Sequence, residues 1–415
     1  TCDTDEFETI TIKFWNNKNE NGFGSDLTGI ASLVYPYATI YITEVKPYPE
    51  KEGEFYASDR SLVVLEPDYL VDAKELADCY QFNGGNPLIY LLGRFSMGEV
   101  TDKVMIGNIA GYLLDDVATE SAYNYTKTFE KVMRENSFGM LVMANQDGQY
   151  NRHIIESVYL DAKNHESSIR HVLGQFRDMQ LSIEPTFISA KFGLQGRLDM
   201  LAVSKDDAYR KDIVELKSGR FPAAGNYEGL YPNHKAQTIC YDLLIRSTYP
   251  QRKGLSSILY SKATVAEHPL RNVAEEQFLP RQELLMLRNQ IVANDLKITQ
   301  GDFSPVLALR PDNGEKFPVY HEGNLQDFHQ IISGLPALQH SYFFGFLQFI
   351  YRELQTAKVG SNNTMDARSG FASLWLASKP EKIDNYDVLV YLTVRKVTDD
   401  FHITLNIKTD LFSGS

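Results

Sequence analysis

Between residues 186 and 262 the apolar pattern runs strand, strand, helix, strand, over 186–203, 212–217, 234–246 and 254–260. Alternation at period two gives way to spacings of three and four, then returns. A helix that links strands in this order needs a sheet to lie on. The stretch therefore limits the chain to an α/β fold with a mixed sheet flanked by helices.

The flanks fill in around it. Residues 9–14, 38–43 and 61–65 alternate strand-formers about an Asn/Gly-rich turn at 16–24 and an exposed acidic loop at 47–54, which predicts a small OB-like or barrel-like β domain over 1–66. From 72 to 181 the periodicity is helical, clearest over 104–117 and 156–179. A further helix is expected over 280–296, a strand over 306–309, helical material over 325–358, and strands over 388–396 and 402–408. These place a central domain at 67–300 and an α/β extension at 301–415. That extension ends as a hairpin begins, and the first residue is Thr1, so a longer parent protein is expected.

With 43% hydrophobic and 23% charged residues among 415, the chain can bury ample core. No run approaches the roughly 20 apolar residues of a membrane helix, and the N-terminus has no signal-peptide pattern. Three cysteines (Cys2, Cys79, Cys240) cannot build a disulfide framework, which points to a reducing, intracellular compartment. A net charge of −13 argues against nucleic acid as partner. Its distribution is uneven, however. Residues 1–70 carry 5 Lys/Arg against 13 Asp/Glu, whereas 185–291 carry 15 against 11. The basic segment fits a confined phosphate-binding surface, and scatter fits it equally.

The segment with chemical content is Phe192-Gly193-Leu194-Gln195-Gly196-Arg197-Leu198-Asp199, followed by Ile213-Val214-Glu215-Leu216-Lys217. On a strand, Glu215 and Lys217 share a face while Val214 and Leu216 pack the other. With Asp199 from the neighbouring strand, two carboxylates and a main-chain carbonyl come within reach of one point. Oxygen ligands of this kind suit Mg²⁺ or Mn²⁺. Two carboxylates and a lysine can hold a metal, orient a water and stabilise charge building on a phosphodiester. Each piece alone also fits a solvated strand edge or a turn. The helix over 234–246 then places His234, Gln237 and Tyr241 on one side, either as a half-buried aromatic with solvated neighbours or as polar groups reaching over the metal toward a DNA strand.

Asp199, Glu215-Leu216-Lys217 and Gln237-x-x-x-Tyr241 resemble the RecB-like branch of the PD-(D/E)XK nuclease superfamily. The segments 192–199, Glu215-Leu216-Lys217-Ser218-Gly219 and His234-Lys235-Ala236-Gln237 are most similar to the nuclease half of the helicase–nucleases that process Okazaki flaps, with looser likeness at 64–70 and 284–290. The resemblance implies a metal-dependent deoxyribonuclease of replication and repair, acting on single-stranded or flap DNA beside a helicase in cis or in trans. Asp199, Glu215 and the Leu216 carbonyl would hold Mg²⁺ or Mn²⁺, joined by Glu184. Lys217 would be the catalytic lysine, and Arg197, His234, Gln237 and Tyr241 would meet the substrate. Two departures stand out. Gly111 occupies the place where relatives carry a metal-binding histidine, which His153 could replace only through space. Three cysteines cannot hold the four-cysteine iron–sulfur cluster of many relatives, so no cluster is expected. A catalytically weak scaffold of a repair complex is the alternative reading; a CRISPR-adaptation nuclease fits the flanking domains less well.

No phosphate-binding Gly-x-x-x-x-Gly-Lys-Ser/Thr loop, Gly-x-Ser-x-Gly elbow or zinc-like Cys/His spacing competes. His165 and His171 are expected to be solvated. The aromatic run 342–351 is expected to be core, with base stacking as its alternative.

Overall fold

A computed structural model describes residues 9–16, 26–49, 51–96, 101–120, 122–145, 152–223, 229–273, 278–360, 370–384, 388, 390, 392–397 and 403–407. The chain divides into two compact units, Thr1–Tyr351 and Arg352–Ser415. The expected boundaries at 66 and 300 both fall inside the first.

That unit begins with β1 (Thr11–Lys13), β2 (Ile40–Ile42), β3 (Val45–Pro47), β4 (Glu54–Ala57) and β5 (Val63–Leu65). The first, third and fourth form one small sheet, with β1 parallel to β4, while β2 and β5 pair separately. Among the described residues this is two short sheets rather than a closed barrel. Next come β6 (Val71–Asp72), α1 (Ala73–Asp78), the hairpin β7 (Tyr80–Gln81) and β8 (Gly84–Gly85), and α2 (Pro87–Phe95). Asp72 caps α1 through the amides of Lys74 and Glu75, and Asn86 caps α2 ahead of Pro87. The helical stretch follows as α3 (Asp102–Thr119), α4 (Tyr125–Glu135), α5 (Ser137–Ala144) and α6 (Arg152–Leu173).

The sheet that positions the site comes after these helices. It is built from β9 (Met179–Ile183), β12 (Met200–Ser204), β13 (Lys211–Lys217), β14 (Ser256–Tyr260) and β15 (Leu270–Val273), in the order β15-β14-β13-β12-β9. The strands β10 (Thr186–Ser189) and β11 (Leu194–Arg197) form an outlying hairpin that pairs with β6. Between β13 and β14 runs α7 (Pro232–Thr248), the crossover that two parallel neighbours require. Met200, Val214 and Leu259 press one sheet face against Ile109, Leu113, Ile169 and Val172 of α3 and α6; burying each such side chain contributes about 2 kcal/mol. The helix α7 is buried continuously from Ala236 to Ile245, as expected of a helix enclosed on all sides.

The unit closes with α8 (Phe278–Gln300), α9 (Ser304–Leu307), α10 (Val319–Ser333) and the part of α11 (Ala337–Val359) up to Tyr351. The run 306–309, expected as a strand, is a helical turn: Pro305 opens α9, and Val306 and Leu309 reach a helical core with Leu92 and Phe344. A short apolar run does not reveal its own period. The aromatic run of α11 is core only in part. Phe344, Leu347 and Tyr351 are buried, while Tyr342, Phe346 and Phe349 are exposed. The second unit contains the expected terminal hairpin as β16 (Leu392–Val397) and β17 (Ile403–Ile407), paired antiparallel.

Arg288 of α8 ties the early strands to the sheet hairpin. It is fully buried and donates to the carbonyls of Leu65, Glu66 (2.7 Å), Tyr69 (2.5 Å) and Gly193 (3.2 Å). Its neighbour Asn289 brackets β5, donating to the Val63 carbonyl and accepting from the Leu65 amide. Gly193 has a φ of +61°, and a Cβ there would lie 2.4 Å from the guanidinium, so only glycine fits.

Candidate active site

The strand β13 is buried from Lys211 to Glu215 and opens at Leu216 and Lys217, so its C-terminal end forms the floor of a site. Asp199 lies between β11 and β12, and antiparallel pairing of Met200 with Val214 sets it beside Glu215. Its Oδ2 accepts the Leu216 amide at 2.6 Å. The two carboxyl groups lie close enough to disturb each other's ionisation. Glu215 Oε1 accepts from Lys217 Nζ at 3.0 Å and from Gln237 Nε2 at 2.7 Å. Its Oε2 is buried and meets no partner among the described residues.

Two carboxyl groups in contact inside a protein oppose ionisation. Burial, then the neighbouring Asp199 charge, push Glu215 up to about 8. Burial also raises Asp199, against the Leu216 amide and the Lys217 ammonium. The pair is short of positive charge and has one oxygen unused, which fits a divalent cation. No group of three or more His, Cys, Asp or Glu side chains gathers as a metal cage among the described residues. Two carboxylates therefore suit an ion such as Mg²⁺ that keeps several waters and shares substrate oxygens.

Gln237 organises the site from α7. Its Oε1 accepts from Lys217 Nζ at 2.7 Å, and its Nε2 donates to Glu215 and to Tyr241 Oη at 2.8 Å. Tyr241 in turn donates to the Arg197 carbonyl at 2.9 Å, two residues before Asp199. Both are buried, at 3% and 2% exposure, so their polar atoms serve the site's own frame. Gly196 permits this approach: a Cβ there would sit 3.0 Å from the Tyr241 ring and 3.1 Å from Ala73. His234 is bonded through Nδ1 to Tyr260 Oη at 3.0 Å. Burial and the Lys217 charge lower it to about 3, which keeps the ring neutral. The Glu184 carboxylate is exposed and paired with the exposed Arg197 at 3.0 Å; only its amide, bonded to the Asp199 carbonyl, joins the site.

Gly111 lies on α3, and a Cβ there would meet nothing within 4 Å, while Gly107 of the same helix passes Ser218. His153 is exposed beside Glu156. The structure also adds residues that the sequence reading passed over. On α1, Lys74 acts on Asp199, and Asp78 feels the Lys217 charge. Four apart on a short helix, they look in sequence like an ordinary solvated pair. His165, expected in solvent, is 1% exposed. Its Nδ1 bonds Ser261 Oγ at 2.8 Å, and Ser261 holds the Lys217 carbonyl through its amide at 2.9 Å. The spacing of Val158, Ala162, His165, Ile169 and Val172 puts this histidine on the apolar stripe of α6, the signal that could have located it.

No protein-family model matches the chain, and no curated protein matches it. Among solved structures it is similar to one described as "Putative exonuclease" from Eubacterium rectale, with a TM-score of 0.36, 13% identity, and coverage of 57% of this chain and 83% of that one. No helix among the described residues is long and apolar enough to cross a membrane.

Proposed function

We propose that the chain is a metal-dependent nuclease with a PD-(D/E)XK core of the RecB-like branch. The observation that carries this reading is the Asp199–Glu215 pair, its glutamate buried with an unpartnered oxygen and set against Lys217. Its order β9-β12-β13-β14, with α7 as crossover, supports the same core. Asp199, Glu215 and the Leu216 carbonyl would hold Mg²⁺ or Mn²⁺. The ion, when bound, supplies Lewis-acid polarisation of a phosphate and a more acidic water.

The remaining chemistry belongs to the chain. The Lys217 ammonium, kept in place by Gln237 Oε1 and Glu215 Oε1, offers its remaining proton to the attacking water or to charge developing on the phosphoryl oxygens. Gln237 and Tyr241 fix that ammonium and the main chain ahead of Asp199, and neutral His234 seats α7 against β14. The substrate is single-stranded or flap DNA in replication or repair, and the chain works beside a helicase. A second reading, a weakly active DNA-binding scaffold, is favoured by one observation, the glycine at position 111 where relatives supply a ligand.

End-labelled single-stranded, duplex and flapped DNA, each with Mg²⁺, with Mn²⁺ and with chelator, test the reading. Metal-dependent cutting that is lost in both Asp199→Ala and Lys217→Ala is the expected result. Binding without cutting in the native chain selects the scaffold. Cutting that survives in both variants removes the site from the reaction.

A further inference from the structure

The helix α7 has two working faces. One presents Asn233, His234, Gln237 and Tyr241 to the site described above. The other, with Pro232, Lys235, Ala236 and Ile239, lines a cavity of about 330 Å³ whose remaining walls come from the β7–β8 hairpin and the start of α8. The cavity adjoins the site through neighbouring residues. Gln81 Nε2 donates to the Asp78 carbonyl at 2.7 Å, the Asp78 carboxyl feels the Lys217 charge, and Pro232 and Lys235 of the cavity wall come before and after His234 on α7.

Its chemistry is unlike that of the site. Leu230, Ala236, Ile239 and Leu284 make apolar walls, Phe82 stands at the turn of the hairpin with half its surface exposed, and Gln81 and Lys235 supply the polar atoms. The volume is at the low end for ligand pockets, sized for a single ring system rather than a large molecule. Apolar walls, an exposed aromatic ring and an amide together suit a nucleobase, which stacks on one face and hydrogen-bonds at its edge. A lysine beside the opening suits the phosphate that accompanies the base.

We propose that this cavity takes one unpaired base of the strand being cut, a few nucleotides from the phosphodiester held at Asp199, Glu215 and Lys217. The inference rests on the nuclease reading and deepens it. A base held in a duplex cannot turn into such a cavity without unstacking, so the cavity selects single strands over duplex.

The test is binding of the whole chain to fluorescent single-stranded oligonucleotides in chelator, where no turnover intervenes. A single abasic residue is walked along the strand. One position is expected to weaken binding on the order of tenfold, the worth of one stacked base, while its neighbours change little. Phe82→Ala abolishes the sensitivity of that position, and Phe82→Tyr, which keeps the ring, retains it. Circular dichroism confirms that both variants fold. Uniform affinity wherever the abasic residue sits, or a sensitive position unchanged in Phe82→Ala, overturns the base pocket. If single strands are cut with metal but no position stands out, only the pocket fails. If single strands are neither bound nor cut, the nuclease reading fails with it.

Discussion

Arg288 and Glu215 are both ionisable groups sealed inside the first unit, and they are treated in opposite ways. Arg288 is ringed by four main-chain carbonyls and has its charge screened by their dipoles. Glu215 is set against a second carboxyl group, with one oxygen unpartnered and its acidity weakened to about 8. A satisfied buried charge holds strands together; an unsatisfied one stores an affinity for something not yet bound. The contrast separates the part of the molecule that secures the fold from the part arranged for chemistry.

The contrast breaks most severely at Arg288. Arg288→Met strips the guanidinium from those carbonyls, of which Gly193 and Glu66 keep only the Val71 and Tyr69 amides, and should cost about 4 kcal/mol of stability in urea denaturation. A loss under about 1 kcal/mol would show that the clamp is incidental. Lys217→Ala comes next. It should lower the cleavage rate by about 10²- to 10³-fold, the worth of a preorganised charge at a transition state, with unchanged far-ultraviolet dichroism.

Glu215→Gln sharpens the comparison from the other side. It removes the like-charge contact while keeping the side chain's size, so metal-free stability above pH 8 should rise as cutting disappears. The sign follows from linkage. Because the folded state raises Glu215 from its ordinary value of 4.5 to about 8, it binds a proton that the unfolded chain has released. The contribution to stability is fully present below about pH 4.5 and is lost as the pH climbs through 8. Melting curves across this window in chelator should fall for the native chain and flatten for Glu215→Gln.

Added Mg²⁺ or Mn²⁺ should raise the melting temperature of the native chain at pH 8, since a ligand that binds only the folded state stabilises it. The same variant should lose that shift. The smallest effect is expected of Tyr241→Phe, which removes one hydroxyl linking Gln237 to the Arg197 carbonyl. It should cost about 1 kcal/mol and reduce cutting only modestly. A collapse of activity there would move Tyr241 from the frame to the reaction.

Much of the sheet was legible because its strands and crossover helix announce their periods. The expected strand over 212–217 is found at Lys211–Lys217, the helix over 234–246 at Pro232–Thr248, and the strand over 254–260 at Ser256–Tyr260. The run 306–309 was misread because four apolar residues fit either period, and Pro305 decided for a helical turn. The aromatic run of α11 was half misread because a helix displays aromatics on both faces, and only its neighbours settle which face is covered. The expected domain limits lie inside one compact unit for a related reason. The strand β5 reads as the end of a small domain, yet Arg288 and Asn289, more than two hundred positions later, bind its backbone.

The sequence by itself determined the α/β class, the shared face of Glu215 and Lys217, and the helical spacing of Gln237 and Tyr241, because all are local consequences of strand and helix repeat. Only the tertiary structure decided that Asp199 lies beside Glu215, that Glu184 turns outward to Arg197, and that α1 and a buried His165 lie behind Lys217. It also divided α7 between a polar site and an apolar cavity. Those relations join residues far apart in sequence through packing and burial, and burial gave a pair of ordinary carboxyl groups the unmet charge that makes them a candidate metal site.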